Sequence, residues 1–230
     1  MTASVRRAVR LEHRLTRPNA SLADLEAAVA LATDYELAAL TVNPWLVKAA
    51  KRAFGHSRVT IGTVIAYPHG SALPSVKAFE ASAALDQGAT QIDFVLNAGA
   101  LVSEDDATVF ADMVAVIDMA HSALAAAGVI VEPAPLSDDL VRRACRLAER
   151  AGADYVVTGP GRSSSRAAVA RTRLLRDSVG PRIGVKAAGR FLTAAALDEA
   201  VSAGATRVST ELTDTLAAMA TAPAAPVAVS

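Results

Sequence analysis

The chain has 230 residues, of which 52% are apolar and 4% aromatic, and its 23 basic and 23 acidic side chains balance. This neutral balance excludes the basic footprint of nucleic-acid binding, and the single cysteine excludes an intrachain disulfide and fits a reducing compartment. No apolar run reaches the roughly 18 residues of a membrane helix. We therefore expect a cytoplasmic protein with no nucleic-acid or membrane partner.

Four helix-like segments along the chain end next to a glycine, and a β-branched run follows each one at once. The glycines are Gly88, Gly128, Gly152 and Gly204. Each suits the left-handed conformation just past a helix C-terminus. Helices that alternate with strands in this way predict β/α units and a parallel sheet.

Eight short runs rich in aliphatic and β-branched residues predict eight strands. They are Val9–Glu12, Ala38–Val42, Val59–Ala66, Gln91–Leu96, Val129–Glu132, Tyr155–Thr158, Ile183–Lys186 and Arg207–Ser209. Strict alternation with helices favours an α/β fold, a closed eight-stranded parallel β/α (TIM) barrel. We expect one domain at residues 1–216, followed by a poorly ordered Ala/Pro-rich tail at 217–230. The alternative is a doubly wound sheet, but no Gly-x-Gly-x-x-Gly follows the first strand.

The predicted helices begin at residues that suit helix N-termini. The hydroxyl residues in these positions are Ser21, Ser75, Ser103, Ser137 and Thr193. Pro44 suits the first turn of a further helix. We expect the long helix opened by Ser103 to end near Ala127.

Lys186 lies in an apolar predicted strand, with no carboxylate beside it in the sequence. A lysine is rarely buried unless it is paired, and Asp93, inside another apolar strand, is the expected partner. Active sites of β/α barrels lie where the strands end, so we expect an acid/base pair there, an amine for a carbonyl and a carboxylate for a proton. The alternatives are an amine that extends to water and a structural ion pair.

Two glycine-containing segments follow the predicted sixth and seventh strands, and both end in arginine. Backbone N–H groups in such loops bind phosphate in many barrels, and arginine offers two parallel donors to an oxyanion. Glu211 repels a phosphate, so it either neutralises Arg190 or receives a substrate amine or hydroxyl. The candidate substrate-binding residues are Asn43, Thr158, Gly161, Arg162, Gly189, Arg190, Ser209 and Glu211.

The sequence predicts neither a metal site nor an organic cofactor. The histidines His13, His56 and His121 show no metal-ligand spacing. His69 follows a proline and is interpreted as a loop residue rather than a catalytic base. Cys145 is expected to be a small core residue of a helix.

Six segments match the motifs of one known family. They are Glu12–Pro18, Thr41–Pro44, Thr63–Gly70, Val76–Ala81, Ile92–Asn97 and Gly184–Gly189. The sequence resembles the deoxyribose-phosphate aldolases, class I aldolases on a β/α barrel, from Glu12 to about Glu211. The resemblance implies a cofactor-free lyase for a small, anionic carbonyl substrate, and we expect a homodimer.

The resemblance also assigns roles to individual positions. The family uses a Schiff-base lysine on the sixth strand, a second lysine on the seventh strand and an aspartate on the fourth. Lys186 matches the second lysine, Asp93 the aspartate and Glu12 an acidic position on the first strand. Val157 occupies the Schiff-base position, and Arg190 replaces a glycine.

These matches and replacements predict a lyase that makes or breaks a carbon–carbon bond in a small oxo compound other than deoxyribose 5-phosphate. Lys186 would act as a nucleophile or an electrophilic cation, and Asp93, with Glu12, as the proton shuttle. The alternatives are an isomerisation, dehydration or cyclisation in the same pocket, or a catalytically silent paralogue that binds a ligand.

Overall fold

The computed structural model describes residues 10–131, 135–159, 161 and 163–211. Within these residues eight parallel strands pair in chain order, and the last pairs with the first to close a barrel. The strands are β1 (Leu11–Leu15), β2 (Ala39–Val42), β3 (Thr60–Ile65), β4 (Gln91–Val95), β5 (Ala126–Ile130), β6 (Tyr155–Val157), β7 (Gly184–Ala188) and β8 (Arg207–Thr210). The predicted β/α barrel is confirmed. The predicted tail at 217–230 and Arg162 lie outside the described residues.

Eight α-helices of the described chain follow or connect these strands, together with a short 3-10 helix at Pro44–Leu46. They are α1 (Leu22–Asp34), α2 (Val47–Phe54), α3 (Pro74–Asp86), α4 (Ala98–Val102), α5 (Asp106–Ser122), α6 (Asp138–Arg150), α7 (Ser165–Ser178) and α8 (Ala194–Ser202). Within the described residues, none of the helices combines the length and the apolar character needed to cross a bilayer.

Three of the predicted N-caps are confirmed, and two are wrong. Ser21, Ser137 and Thr193 each accept a hydrogen bond from a backbone N–H in the first turn. Helix α3 begins instead at Pro74, so that Leu73 rather than Ser75 is its N-cap residue. Asp105 caps α5, which ends at Ser122 rather than near residue 127.

Three of the four glycines predicted to end helices have the expected left-handed backbone. The φ angles of Gly88, Gly152 and Gly204 are 106°, 88° and 101°. Gly128 differs, because it lies within β5 and pairs with Asp93 of β4. A Cβ at Gly128 would approach Asp93 Oδ1 to 2.5 Å, so this glycine leaves room for a carboxylate.

The structure moves the ends of two strands that carry charged residues. Strand β1 continues through Glu12 to Leu15, although the sequence predicted an end at Glu12. Strand β7 continues through Lys186 to Ala188. The predictions were wrong because charged residues are seldom found inside strands, whereas here buried partners compensate the charges.

Aliphatic side chains fill the space between the barrel and the helices. Leu40, Ile92 and Phe94 are fully buried on the outer face of the strands. Because side chains alternate along a strand, the intervening residues point into the barrel. The inward positions include Glu12, Asp93 and Lys186, so the barrel interior is charged.

Candidate active site

Lys186 stands between two carboxylates inside the barrel. Its Nζ donates a hydrogen bond to Asp93 Oδ2 at 2.6 Å, and lies 2.8 Å from Glu12 Oε2. The three side chains come from β7, β4 and β1, which the barrel brings together although they are separated in sequence. The expected pairing of Lys186 with Asp93 is therefore confirmed as geometry, and Glu12 joins it. The amine does not extend to water, since Lys186 has no exposed surface.

Glu12 is held firmly by neighbouring side chains. Thr41 Oγ1 donates to its Oε1 at 2.8 Å, and Ser209 Oγ donates to the same oxygen at 3.2 Å. Gln91 Nε2 donates to Oε2 at 3.3 Å. A buried carboxylate with this many donors is stabilised in its ionised form.

Asp93 is the least enclosed of the three charged groups. Its side chain is 5% exposed, against 0% for Lys186. While Oδ2 binds Lys186, Oδ1 is buried and has no hydrogen-bond partner among the described residues. An unpaired buried carboxyl oxygen is costly, and this one lies against Gly128 of β5.

The three pKa values shift in a consistent pattern. Burial acts to lower the pKa of Lys186, but the charges of Asp93 and Glu12 outweigh it and raise that pKa. Burial acts to raise the pKa of Glu12, but Lys186 and the hydrogen-bond donors lower it to about 2. For Asp93, burial and the charge of Glu12 prevail over Lys186, and the pKa is raised. The cluster therefore comprises an ammonium, an ionised Glu12 and a carboxyl that keeps its proton to higher pH.

An apolar layer covers part of this cluster on the side where the strands end. It consists of Val95, Ile130, Val157 and Ala188, all buried, with Tyr67 packed against them. Val95 and Ala188 each follow a member of the charged cluster by two residues, so they share its inward face one layer higher. Val157 pairs with Lys186 in the sheet. The position that the resemblance gives to a Schiff-base lysine thus contributes a hydrocarbon wall.

Glu12 and Lys186 were predicted to be the last residues of their strands, but they lie inside those strands, as Asp93 does in β4. Each lies inside its strand, with further inward residues above it. The sequence predicted the pairing of Lys186 with Asp93 but not the second carboxylate, and these partners are what permit burial of the charges.

Several predicted substrate-binding residues already have partners within the protein. Thr158 Oγ1 donates to the backbone oxygen of Ala188 at 3.3 Å and accepts from its N–H at 3.0 Å. Ser209 binds Glu12, as described above. Gly189 donates its N–H to Ser209 at 3.1 Å and packs against α7. These residues support the charged cluster and the sheet, and their roles toward a substrate stay predictions.

The remaining candidates, apart from the buried Gly161, lie nearer the surface. Arg190 is exposed and pairs with Ser164 by a backbone bridge, and Asn43 donates its side-chain N–H to Arg17 O at 2.9 Å. Glu211 accepts a hydrogen bond from Thr16 Oγ1 at 3.3 Å rather than contacting Arg190. Gly161 lies against the guanidinium of Arg14.

Two buried cations were missed from the sequence. Arg14 is 3% exposed and projects into the barrel mouth, and Lys77 of α3 is completely buried. The sequence could have predicted that Arg14 points into the barrel, because Arg14 follows Glu12 by two residues in one strand and must share its inward face. Lys77 gave no such signal, since its partner Asp112 is remote in sequence.

Metal ligands and reactive thiols do not add to this site. Among the residues that the structure describes, no three His, Cys, Asp or Glu side chains are placed to hold a metal ion. Cys145 is buried in α6, as predicted, and burial raises the pKa of its thiol to about 12. His69 lies exposed in a loop.

The fold and the interior charges together define a β/α-barrel enzyme scaffold whose polar centre holds a lysine and two carboxylates. The sequence matches the DeoC/LacD family of aldolases over residues 7–217. The chain belongs to this family, whose aldolases are carbon–carbon lyases.

Curated relatives agree with this assignment. The chain is 40% identical to a deoxyribose-phosphate aldolase of Streptococcus pneumoniae (strain G54) over 200 residues, 87% of this chain and 90% of the relative. It is 39% identical to deoxyribose-phosphate aldolase 1 of Bacillus licheniformis over 208 residues, 90% of this chain and 92% of the relative.

Solved structures agree as well. The fold superimposes on a tetrameric deoxyribose phosphate aldolase from Aeropyrum pernix with a TM-score of 0.84 and 26% identity, covering 93% of this chain and 90% of that chain. A putative deoxyribose-phosphate aldolase from Coccidioides immitis gives a TM-score of 0.81 and 29% identity, covering 92% and 83%.

Proposed function

We propose that this chain is an aldolase-type lyase for a small oxo compound, in which Lys186 acts as a fixed ammonium and Asp93 as the proton shuttle. The observation that carries the proposal is the position of Lys186 Nζ, within 2.8 Å of two carboxylates. Because both carboxylates raise its pKa, the amine stays protonated at neutral pH. A protonated amine cannot attack a carbonyl, but it stabilises a negative charge that develops beside it.

The proposed cleavage acts on a β-hydroxy oxo compound. Ionised Asp93 accepts the proton of the hydroxyl group, and the O–H electron pair forms the new carbonyl as the carbon–carbon bond breaks. The electrons of the broken bond form an enolate, whose oxygen is stabilised by the Lys186 ammonium. Asp93 then returns its proton to the enolate carbon, so atoms and charge balance. A carboxylate with a raised pKa is a stronger base than an ordinary one, which suits this step.

The apolar layer supports a substrate that differs from that named for the relatives. Val157 contributes two methyl groups where the resemblance places a covalent anchor, so the pocket favours a small substrate held without a Schiff base. Because Lys186 has no exposed surface, a substrate reaches it only when this layer moves. Asp93, whose side chain is the most exposed of the three, is the first group that such a substrate meets.

The test measures enolate formation, which requires no knowledge of the second substrate. Acetone, pyruvate and acetaldehyde are incubated with the protein in deuterated buffer, and NMR follows deuterium entering the carbon next to the carbonyl. We expect exchange with wild type and none above background with Lys186→Met. Lys48→Met is the matched control, because it removes an exposed amine of α2.

A parallel borohydride treatment distinguishes the two roles of Lys186. We expect no loss of activity and no adduct on Lys186 by mass spectrometry. A reduced adduct on that residue would replace the ammonium role by a covalent one. Absence of exchange with all three carbonyl compounds would refute the lyase proposal.

A further inference from the structure

Arg14 crosses the mouth of the barrel above the charged cluster. It follows Glu12 by two residues in β1, which places it on the same inward face, about 7 Å closer to the strand end. Its guanidinium reaches Gly161, in the segment after β6, although β8 and β7 stand between β1 and β6 in the barrel. The side chain therefore extends across the entrance from β1 towards β6, whose Val157 belongs to the apolar layer.

Two nitrogens of the Arg14 guanidinium make no hydrogen bond with the described residues. Nε and Nη2 are buried and have no hydrogen-bond partner among the described residues. These two nitrogens lie on the same edge of the group, the edge that binds a carboxylate through two parallel N–H donors. A buried donor without a partner costs free energy, and a ligand with two acceptor oxygens removes that cost.

Gly161 leaves the space that this guanidinium occupies. A Cβ at Gly161 would occupy the space of Arg14 Nη2, and its backbone has a φ of 81°. Glycine is therefore required at this position for two reasons, the left-handed backbone and the close approach of Arg14. The sequence had assigned Gly161 to phosphate binding through its backbone, whereas the structure brings an arginine side chain to it.

Glu211 shows which anion suits the position. Its Oε1 forms an ion pair with Arg14 Nε at 3.7 Å, a separation too long for a hydrogen bond, and its side chain is 37% exposed. A carboxylate ligand brings only one negative charge to a guanidinium that already faces Glu211. A phosphate monoester carries about 1.5 to 2 negative charges and would lie beside Glu211 as well as Arg14. The local charges therefore favour a carboxylate.

We propose that Arg14 binds the carboxylate of a small oxo acid while the oxo group of that acid lies at Lys186. This inference rests on the proposed lyase function and names its substrate class. Arg14 binds one end of the substrate, and the charged cluster acts on the other. A neutral ketone would enter the same site without this contact.

The test compares pyruvate with acetone in the deuterium-exchange assay. Removing a bidentate charged contact is expected to lower kcat/KM for pyruvate about 100-fold in Arg14→Met, with acetone changed less than about threefold. Arg14→Lys should recover part of the pyruvate rate, because an ammonium keeps the charge but not the two parallel donors. Equal losses with both compounds would show a merely structural role for Arg14 and overturn the inference.

A second pair of variants tests whether Gly161 positions the guanidinium. Gly161→Ala should reproduce the selective loss of pyruvate exchange, because its Cβ displaces Arg14. Gly152→Ala is the matched control, since its φ is 88° and a Cβ there meets nothing within 4 Å. An unchanged ratio of pyruvate to acetone rates in Gly161→Ala would contradict the inference.

Ligand-induced changes in Tm separate this inference from the proposed function. Pyruvate should raise the Tm of wild type but not of Arg14→Met, whether or not exchange occurs. If wild type exchanges neither compound, the lyase proposal fails while a pyruvate-dependent rise in Tm still supports the Arg14 site. A rise with inorganic phosphate and none with pyruvate would overturn the assignment to oxo acids.

Discussion

Lys77 and Lys186 are both completely buried, yet they face different numbers of carboxylates. Lys77 of α3 donates to Asp112 Oδ2 of α5 at 2.6 Å and to the backbone oxygen of Val95 at 2.9 Å. Lys186 lies between Asp93 and Glu12 in the barrel interior. Lys77 pairs with a single carboxylate and joins two helices to β4, whereas Lys186 belongs to a cluster of three charged side chains.

The difference appears in the direction of the pKa shifts. Burial lowers the pKa of Lys77 and raises that of Asp112, and their mutual attraction only partly opposes it. In the barrel, two carboxylates outweigh burial and raise the pKa of Lys186. The comparison teaches that burial alone does not mark a working lysine. A cluster with one more carboxyl group than lysines can transfer a proton. A pair of one lysine and one carboxylate has no additional carboxyl group for this transfer.

The largest contrast is expected from the two single lysine replacements. Lys186→Met should lower lyase or exchange activity by about a thousandfold or more, because the enolate loses its stabilising cation. Lys77→Met should keep activity within about threefold per folded molecule but lower the free energy of unfolding by about 3 kcal/mol, because Asp112 loses its partner. Exchange rates and urea denaturation measure the two effects. Loss of activity in folded Lys77→Met would remove the contrast.

The second-largest effect is expected on the free energy of unfolding at acid pH. The pKa of Glu12 is lowered from 4.5 to about 2 in the folded state, so the unfolded chain binds this proton more readily between those values. The stabilisation from Glu12 is therefore complete above pH 4.5 and lost as pH falls to about 2, an amount of roughly 3 kcal/mol. Glu12→Gln should flatten this part of the stability profile, measured by urea denaturation at successive pH values.

Asp112→Asn serves as the control for that profile. The raised pKa of Asp112 contributes in the opposite sense, because its folded form binds the proton more readily than the unfolded chain. This variant should therefore keep the acid loss between pH 4.5 and 2. A profile that keeps its full slope in Glu12→Gln would show that Glu12 is not the group responsible.

The smallest effect is expected when the helical pair is replaced as a unit. Lys77→Met combined with Asp112→Leu should leave stability unchanged or raise it by about 1 to 4 kcal/mol, because apolar side chains need no compensation for lost water. Activity should persist. Lys186→Met combined with Asp93→Leu should show no exchange and should be less stable, because Glu12 is left buried without its cation. Loss of folding in the first double variant, seen by circular dichroism, would mean that the Lys77 pair specifies the packing of α3 on α5.

The alternation of strands and helices was readable from local patterns. Glycines such as Gly88 and Gly204 and caps such as Ser21 depend on neighbouring residues, so they were predicted correctly. Gly128 was misassigned because its role comes from Asp93, on another strand. Strand ends at Glu12 and Lys186 were misplaced for a related reason, since burial of a charge depends on partners that are distant in sequence.

In the candidate site, too, local patterns were predictable from the sequence and contacts between distant residues were not. An isolated lysine and an isolated aspartate in apolar strands were sufficient to predict their pairing. Arg14 could have been inferred from its two-residue spacing to Glu12, but its reach to Gly161 across two intervening strands could not.

The sequence by itself determined the β/α barrel, its family and the residue types of its charged centre, because hydrophobic periodicity and turn chemistry act locally. Only the tertiary structure decided that Lys186 faces two carboxylates, that Lys77 is equally buried and that Arg14 spans the mouth. The physical reason is that Coulomb attraction and desolvation depend on distances through space, which barrel closure sets and sequence separation does not.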